Sequence, residues 1–267
     1  VVKSLAAFEW AGNPPPRLHP VVGGMLNSVG LQGPGIEHWL EHELPPLLAT
    51  GARVVASIWG RTPDDYAAAA ALLRDAPEGV VAVEVNLSCP NLKGKGMFAQ
   101  SPQATREAMA LTAGCGRPRW AKLTAAVADL PEVAAAAHEG GAEAVTLINT
   151  LLGMAIDVGT RRPTLGAGGG GLSGPAIHPV AVRAVFDVHA VMPALPIVGV
   201  GGVTGAASAV ELMLAGASAV QVGTATFADP HAPVRLVRDL DAWCQHHRVR
   251  RLADLVGAAH IHEGSPS

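Results

Sequence analysis

The chain has 267 residues, of which 49% are hydrophobic and 15% are charged, and its formal net charge at pH 7 is −3. This length fits one large α/β domain, and the lack of a basic excess argues against a nucleic-acid-binding protein. The three cysteines, Cys89, Cys115 and Cys244, lie far apart, which excludes a disulfide framework and a four-thiolate cluster within the chain. No apolar run reaches the ~20 residues of a membrane span and no signal peptide is evident, so we expect a cytoplasmic protein.

Short apolar segments rich in valine, alanine and isoleucine recur along the chain and alternate with helical patterns. The predicted strands cover residues 1–4, 53–58, 80–87, 120–123, 144–148, 196–200 and 217–222. Helices are predicted to begin after Thr62 and Ser101 and to cover 131–138, 179–191 and 205–214, the last capped by Thr204. Because strand and helix alternate with no hairpin signal between them, the strands are predicted to pair in parallel.

Two architectures carry such a sheet, a closed (β/α)8 TIM barrel and an open doubly wound sheet. Polar residues follow nearly every predicted strand, which favours the ring of loops of the barrel over a single crevice. Seven strands are visible where the barrel needs eight. The sequence therefore predicts a single barrel domain over residues 1–267 that lacks its first strand and is N-terminally truncated by roughly one strand–helix unit. Two loops fit no such unit, the Pro-rich 12–17 and the Gly-rich 160–174.

The strand predicted over 80–87 is followed by a group of polar side chains. Asn86, Ser88, Cys89 and Asn91 come together where the apolar pattern stops. In an α/β barrel the carboxyl ends of the strands surround the active site, so Cys89 is a candidate catalytic thiol. The alternative is a small buried structural cysteine.

The last two predicted strands end in glycines, at 199–202 and at Gly223-Thr224. Glycines let the backbone approach a ligand closely, and the loops after the last two strands of this barrel usually bind phosphate. Tight strand-to-helix turns are the structural alternative. We interpret the two ends together as a candidate phosphate site.

Lysines, amides and hydroxyls complete the candidate site. Lys122 lies inside an apolar strand, where a buried lysine needs an anionic or electron-rich partner unless it lies at a solvated edge. The other polar groups at strand ends or in loops are Lys3, Ser4, the segment 27–31, Asn149 and Thr150. With no histidine and no pair of carboxylates, this set does not suit glycoside hydrolysis, metal hydrolysis or a Ser-His-Asp triad. It suits a planar anion bound beside a phosphorylated cofactor, while His246, His247, His260 and His262 are predicted to be solvated surface.

As an ordered set covering essentially the whole chain, these segments resemble the class 1 dihydroorotate dehydrogenases, flavoprotein oxidoreductases of pyrimidine (UMP) biosynthesis with an FMN-binding (β/α)8 barrel. The segments 148–157 and 170–177 are more similar to the class 1B catalytic subunit than to the fumarate-linked class 1A enzymes. The segments that carry the resemblance are 2–4, 12–14, 27–31, 84–91, 122–123, 148–150, 171–176 and the two glycine ends.

The resemblance implies roles for individual residues. Cys89 would remove the C5 proton of dihydroorotate while hydride passes from C6 to N5 of FMN, and no metal is implied. The implied substrate-binding residues are Lys3, Asn27, Ser28, Val29, Gly30, Leu31, Asn86, Asn91, Asn149 and Thr150. The implied FMN contacts are Lys3, Ser4, Ser57 (where relatives often place an asparagine), Asn86, Lys122, Ile148, Gly174, Gly201, Gly202, Gly223 and Thr224.

The class 1B resemblance also implies an oligomer with an electron-transfer subunit that carries FAD and a [2Fe–2S] cluster and passes electrons to NAD+. The chain cannot hold that cluster alone, because it has only three dispersed cysteines. Three alternatives stay open: a class 1A enzyme reducing fumarate, a dihydrouridine synthase, and a non-catalytic flavin- or phosphate-binding barrel. The charge balance argues against the synthase, which would need a basic tRNA-binding surface.

Overall fold

The computed structural model describes residues 1–88 and 97–260. Its main element is a six-stranded parallel sheet, which confirms the predicted parallel α/β class. The strands are β3 (Val54–Ile58), β4 (Val80–Asn86), β5 (Arg119–Lys122), β6 (Ala144–Leu147), β11 (Ile197–Val200) and β12 (Ala219–Gln221). They lie in the sheet in the order β12-β11-β6-β5-β4-β3.

Helices connect and cover these strands. They are α1 (Ile36–His38), a π-helical turn (Trp39–Glu43), α2 (Leu44–Ala49), α3 (Pro63–Leu72), α4 (Pro102–Leu111), α5 (Leu130–Glu139), α6 (His178–Val191), α7 (Ala206–Ala215), α8 (Ala225–Ala228) and α9 (Ala232–His247). The predicted capping holds for α3, where the Thr62 hydroxyl accepts from the backbone N–H of Asp65 and the Asp65 carboxylate accepts from that of Thr62. None of the helices in the described ranges is long and apolar enough to cross a bilayer.

The N-terminal segment lies beside β3 and extends the parallel sheet. The backbone N–H of Val2 donates to Val55 (3.1 Å) and that of Leu5 donates to Ser57 (2.8 Å). Only an isolated parallel bridge, Leu5 to Ile58, is formed, so the strand predicted over 1–4 is wrong in detail. The sheet is curled, because Val1 at this edge lines a common cavity with the opposite edge strand β12. A closed eight-stranded barrel is not observed in the described part of the chain.

A second sheet, antiparallel and four-stranded, corrects the prediction that hairpins are absent. Its order is β1-β2-β10-β7. The strands are β1 (Leu18–Val21), β2 (Gly24–Asn27), β7 (Leu151–Gly153) and β10 (Gly170–Ser173). Glycine is required at Gly24, since a Cβ there would lie 1.9 Å from the Ser173 carbonyl oxygen. The predicted loop 160–174 therefore contains strand β10, and also β9 (Arg162–Pro163), which pairs with β8 (Ile156–Asp157). Glycine and proline give these strands the composition of a loop.

Three further features differ from prediction. The helices over 36–49 and the sixteen-residue α9 had not been predicted. Helix α7 has Gly205 rather than Thr204 as its N-cap. The Ser208 hydroxyl accepts hydrogen bonds from the backbone N–H groups of Thr204 and Gly205. His260 is packed rather than solvated, because its ring stacks on Phe186 at 3.9 Å between centroids. His246 and His247 are exposed on α9 as predicted, and His262 lies outside the described residues.

Small residues let the helices pack closely on the sheet. All five residues of β3 and six of the seven in β4 are buried. Helix α5 buries Leu130, Val133 and three alanines against the core. The apolar interior thus fixes the strand positions, and with them the polar residues at the carboxyl ends of the strands.

A packed histidine makes the stability of this core pH-dependent. His189 lies against two glycines, since a Cβ added to Gly216 would be 2.3 Å from its Cγ and one added to Gly257 2.4 Å from its Nε2. Burial, with a smaller contribution from nearby His260, lowers the pKa of His189. The unfolded state therefore binds this proton more readily than the folded state does. Stability is fully present above the unfolded pKa of about 6.5 and is lost as the pH falls below it.

We expect His189→Asn to flatten the fall in unfolding free energy between about pH 7.5 and 5.5, as measured by urea denaturation. His246→Asn, at an exposed position of α9, is the matched control and should leave the slope unchanged. An equal slope in the wild type and in His189→Asn would contradict this prediction.

Candidate active site

A cavity of about 350 Å³ lies at the carboxyl ends of the parallel strands. Residues at or after the ends of all six strands, together with the N-terminal segment, contribute to its wall. Parallel strands with right-handed helical connections bring these ends to one side of the sheet. The cavity is thus a direct consequence of the parallel order, and its size is typical of a small-molecule or cofactor site.

All of the residues that the resemblance assigns to the cofactor line this cavity. They are Lys3, Ser4, Ser57, Asn86, Lys122, Ile148, Gly174, Gly201, Gly202, Gly223 and Thr224. They come from widely separated parts of the chain, and only the curled sheet brings Lys3 and Thr224 to one space. Their roles toward a cofactor stay a prediction.

A chain of hydrogen-bonded side chains runs along the wall across β3, β4 and β6. The Ser57 and Ser4 hydroxyls are 2.9 Å apart, and Asn86 Nδ2 donates to Ser4 Oγ at 3.1 Å. Asn149 Nδ2 lies 3.3 Å from Asn86 Oδ1 and 3.0 Å from Ser88 Oγ. Buried amides with several partners are held in one orientation. The network ends at Ser88, the residue before Cys89 in the sequence.

The predicted substrate-binding residues divide into two groups. Lys3, Asn86, Asn149 and Thr150 line the cavity. The segment 27–31 is not among the residues that line it. Asn27 ends β2, which pairs with β10, and its Nδ2 donates to the carbonyl oxygen of Gly171 at 3.2 Å. Gly171 in turn packs against Thr150, since a Cβ there would lie 2.1 Å from Thr150 Oγ1.

Within the segment 27–31, Leu31 packs with Ala6 and Trp59, and Gly30 and Leu31 have positive φ (73° and 63°). Val29, Gly30 and Leu31 are not among the residues that line the cavity. The Ser28 hydroxyl is fully buried and has no hydrogen-bond partner among the described residues. Cys89 and Asn91 lie outside the described residues, so their predicted roles rest on the sequence alone.

The opposite end of the cavity is built from backbone. Gly201, Gly202 and Gly174 have positive φ values of 137°, 69° and 98°. A Cβ at Gly202 would lie 2.6 Å from the Cβ of His178 and 3.0 Å from the Gly174 carbonyl oxygen. Glycine is therefore needed for both conformation and space. We define the glycine end as the lining residues 201–204 and 222–225, and Lys3 and Lys122 line the same cavity.

Prediction from sequence missed a buried carboxylate in the wall. Glu84 of β4 is 2% exposed, and its Oε2 accepts from Thr146 Oγ1 at 2.9 Å and from Gln221 Nε2 at 3.0 Å. It lies two residues before Asn86, on the same face of the strand. The sequence did contain a signal for Glu84, a charged residue in an otherwise apolar strand, and the same signal identified Lys122. The Lys122 ammonium, also at the cavity wall, has no hydrogen bond or ion pair with any described residue.

Comparisons with known proteins agree with this geometry. The family model described as Dihydroorotate dehydrogenase matches residues 1–243. A Geobacter sp. (strain M21) protein named dihydroorotate dehydrogenase B (NAD(+)), catalytic subunit, is 43% identical over 263 residues, covering 98% of this chain and 86% of that protein. A protein of the same name from Desulforudis audaxviator (strain MP104C) is 45% identical over 262 residues, covering 97% of this chain and 85% of that protein. On this evidence the chain belongs to the dihydroorotate dehydrogenase family, a flavin-dependent family of oxidoreductases, and within it resembles the B-type catalytic subunits.

Proposed function

We propose that this chain oxidises dihydroorotate to orotate in pyrimidine biosynthesis, with FMN as its bound cofactor. The observation that carries the proposal is the cavity itself. It joins a glycine end suited to phosphate, a lysine suited to an anionic ring and an oriented amide network that ends at Ser88. Its place at the carboxyl ends of a curled parallel sheet supports the assignment of a single (β/α)8 barrel domain.

The residues present fit FMN at both ends. Gly201 and Gly202 line the cavity in a turn of positive φ, whose backbone N–H groups would hold phosphate oxygens. Lys122 would face the pyrimidine part of the flavin and favour its anionic reduced form. The side chains of Ser4, Ser57 and Asn86 would form hydrogen bonds with polar atoms of the flavin ring. The chemistry that FMN supplies when bound is hydride acceptance at N5.

The chain supplies the proton chemistry and the placement of the substrate. The Cys89 thiolate would take the C5 proton of dihydroorotate, whose C6 hydride leaves to the flavin. Lys3, Asn149 and Thr150 would hold the pyrimidine and its carboxylate. Because Asn149 is fixed by Asn86 and Ser88, the substrate meets donors that need no rearrangement as charge develops.

Electron transfer beyond FMN calls for a partner. The B-type relatives are named NAD(+)-linked catalytic subunits, a name that implies a second subunit. We propose that this chain forms an oligomer with such a subunit, which carries FAD and a [2Fe–2S] cluster and reduces NAD+. The dispersed cysteines of this chain agree with a cluster held elsewhere.

The absorption spectrum of the purified full-length protein tests the proposal. We expect an oxidised flavin spectrum that bleaches when dihydroorotate is added without oxygen. A bound flavin that does not bleach would favour a non-catalytic flavin-binding barrel. Reoxidation by fumarate without a partner subunit would assign the chain to the class 1A type instead.

The glycine end gives a sharper test of cofactor binding. We expect Gly202→Ala to weaken FMN binding by at least tenfold, because the added Cβ meets His178 and the Gly174 carbonyl while φ is positive. Flavin fluorescence titration of the apoprotein measures the dissociation constant. Gly205→Ala is the matched control, since a Cβ there meets no atom within 4 Å. Equal FMN affinity in the two variants would contradict the phosphate assignment.

A further inference from the structure

His178, the first residue of α6, holds the turn at the glycine end of the cavity from outside. Its Nδ1 is 2.7 Å from the carbonyl oxygen of Gly201, and its Nε2 is 3.1 Å from Oε2 of Glu211 on α7. The His178 side chain is 13% exposed. The ring therefore connects two helices and the turn between β11 and α7.

Both partners of the ring are acceptors. A carbonyl oxygen and a carboxylate oxygen have no hydrogen to donate, so each ring nitrogen must carry a proton to bond its partner. A neutral imidazole carries only one such proton. The observed geometry is satisfied completely only by the imidazolium form of His178.

Glu211 is the charged group that contacts the ring. The other elements packed around it, residues 173–177 and 201–205, contain no titratable side chain, and neither does the next turn of α6 at Ala181 and Val182. The ring is therefore held by one carboxylate among the described residues, that of Glu211, which is 58% exposed on α7.

The ring also borders the glycine end of the cavity. The Cβ of His178 would be 2.6 Å from a Cβ on Gly202, and the ring holds the carbonyl of Gly201 directly. A protonated His178 thus fixes the turn and adds positive charge behind it.

We propose that His178, held by Glu211, is a positioning residue for the phosphate monoester of the cofactor. The inference rests on the proposed binding of FMN. Loss of the ring would remove the hydrogen bonds that tie the Gly201 carbonyl to Glu211, so the Gly201–Gly202 turn would hold a phosphate dianion less tightly. Riboflavin, which has the same ring as FMN but no phosphate, is the control ligand.

The test is a flavin titration of the apoprotein with FMN and with riboflavin at pH 7. We expect His178→Gln to bind FMN about tenfold less tightly than the wild type while its riboflavin affinity stays unchanged. Glu211→Gln should weaken FMN binding in the same direction by a smaller factor, because the ring keeps its contact with the Gly201 carbonyl but loses its charged partner on α7.

The outcomes separate the two proposals. A wild type that binds no FMN overturns both. A wild type that binds FMN and bleaches with dihydroorotate, but whose FMN affinity matches that of His178→Gln, overturns only the inference about His178. Equal losses for riboflavin and FMN in His178→Gln would assign the residue a purely structural role and would likewise overturn it.

Discussion

Replacing Cys89 with alanine is expected to lower the turnover of dihydroorotate by about 10²- to 10⁴-fold, the usual contribution of a positioned general base. The C5 proton would then have no acceptor beside the amides of Asn86 and Asn149. FMN binding should be retained, because the cavity wall that would hold the cofactor is formed by other residues. Anaerobic stopped-flow bleaching of the flavin measures this step directly.

The pH profile and a second cysteine give the controls for this prediction. Flavin bleaching in the wild type should rise with pH as the Cys89 thiolate forms, whereas the residual rate of the alanine variant should lack that rise. Cys244→Ala, on helix α9, should leave the rate unchanged. Near-normal bleaching in Cys89→Ala with FMN bound would remove this thiol from the mechanism.

Lys122→Met is expected to slow flavin reduction by about 10²- to 10³-fold, the range for loss of one preorganised charge from an active site. Lys122 lies at the cavity wall beside Asn86, its neighbour in the β4–β5 ladder. Methionine keeps most of the length of the side chain but removes its positive charge. The reduced flavin would lose its neighbouring cation, so its reduction potential should also fall.

Measuring that potential distinguishes an electrostatic role from a packing role. A merely structural effect would lower FMN occupancy without changing the potential of the flavin that remains bound. Arg183→Met is the control, since that arginine lies exposed on α6 and pairs with Asp187 at 2.7 Å. An unchanged potential in Lys122→Met would contradict the assignment.

The hydrogen bond between Glu84 and Gln221 is a feature of the site that the tertiary structure determines and the local sequence does not. Their side chains meet at 3.0 Å although they lie 137 positions apart in the chain. The same contact places a buried carboxylate in the cavity that holds Lys122. No local pattern encodes which strands face each other across a curled sheet, so the partner of a buried charge is decided by tertiary structure.

Local sequence patterns were sufficient to predict those elements that depend on interactions between residues close together in the chain. Strand β4, with apolar residues followed by Asn86, and helix α3, with its Thr62–Asp65 capping box, follow from propensity and capping within a few residues. Helix α9 carries an amphipathic pattern of the same local kind, so that element was available to prediction as well. The positions of Ser4, Ser57 and Lys122 at strand ends likewise followed from the order of elements in an α/β chain.

By itself the sequence determined the parallel α/β class, the polar residues at the strand ends and the family resemblance, because these depend on periodicity and on residue type. Only the tertiary structure decided the antiparallel sheet, in which β10 is too rich in glycine to read as a strand. It also decided that Asn27 pairs beside β10 while the segment 27–31 stays out of the cavity lining, and that His178 bridges Gly201 and Glu211. The physical reason is common to all three. Pairing between distant segments is selected by packing and hydrogen-bond satisfaction over the whole chain, which local propensity does not record.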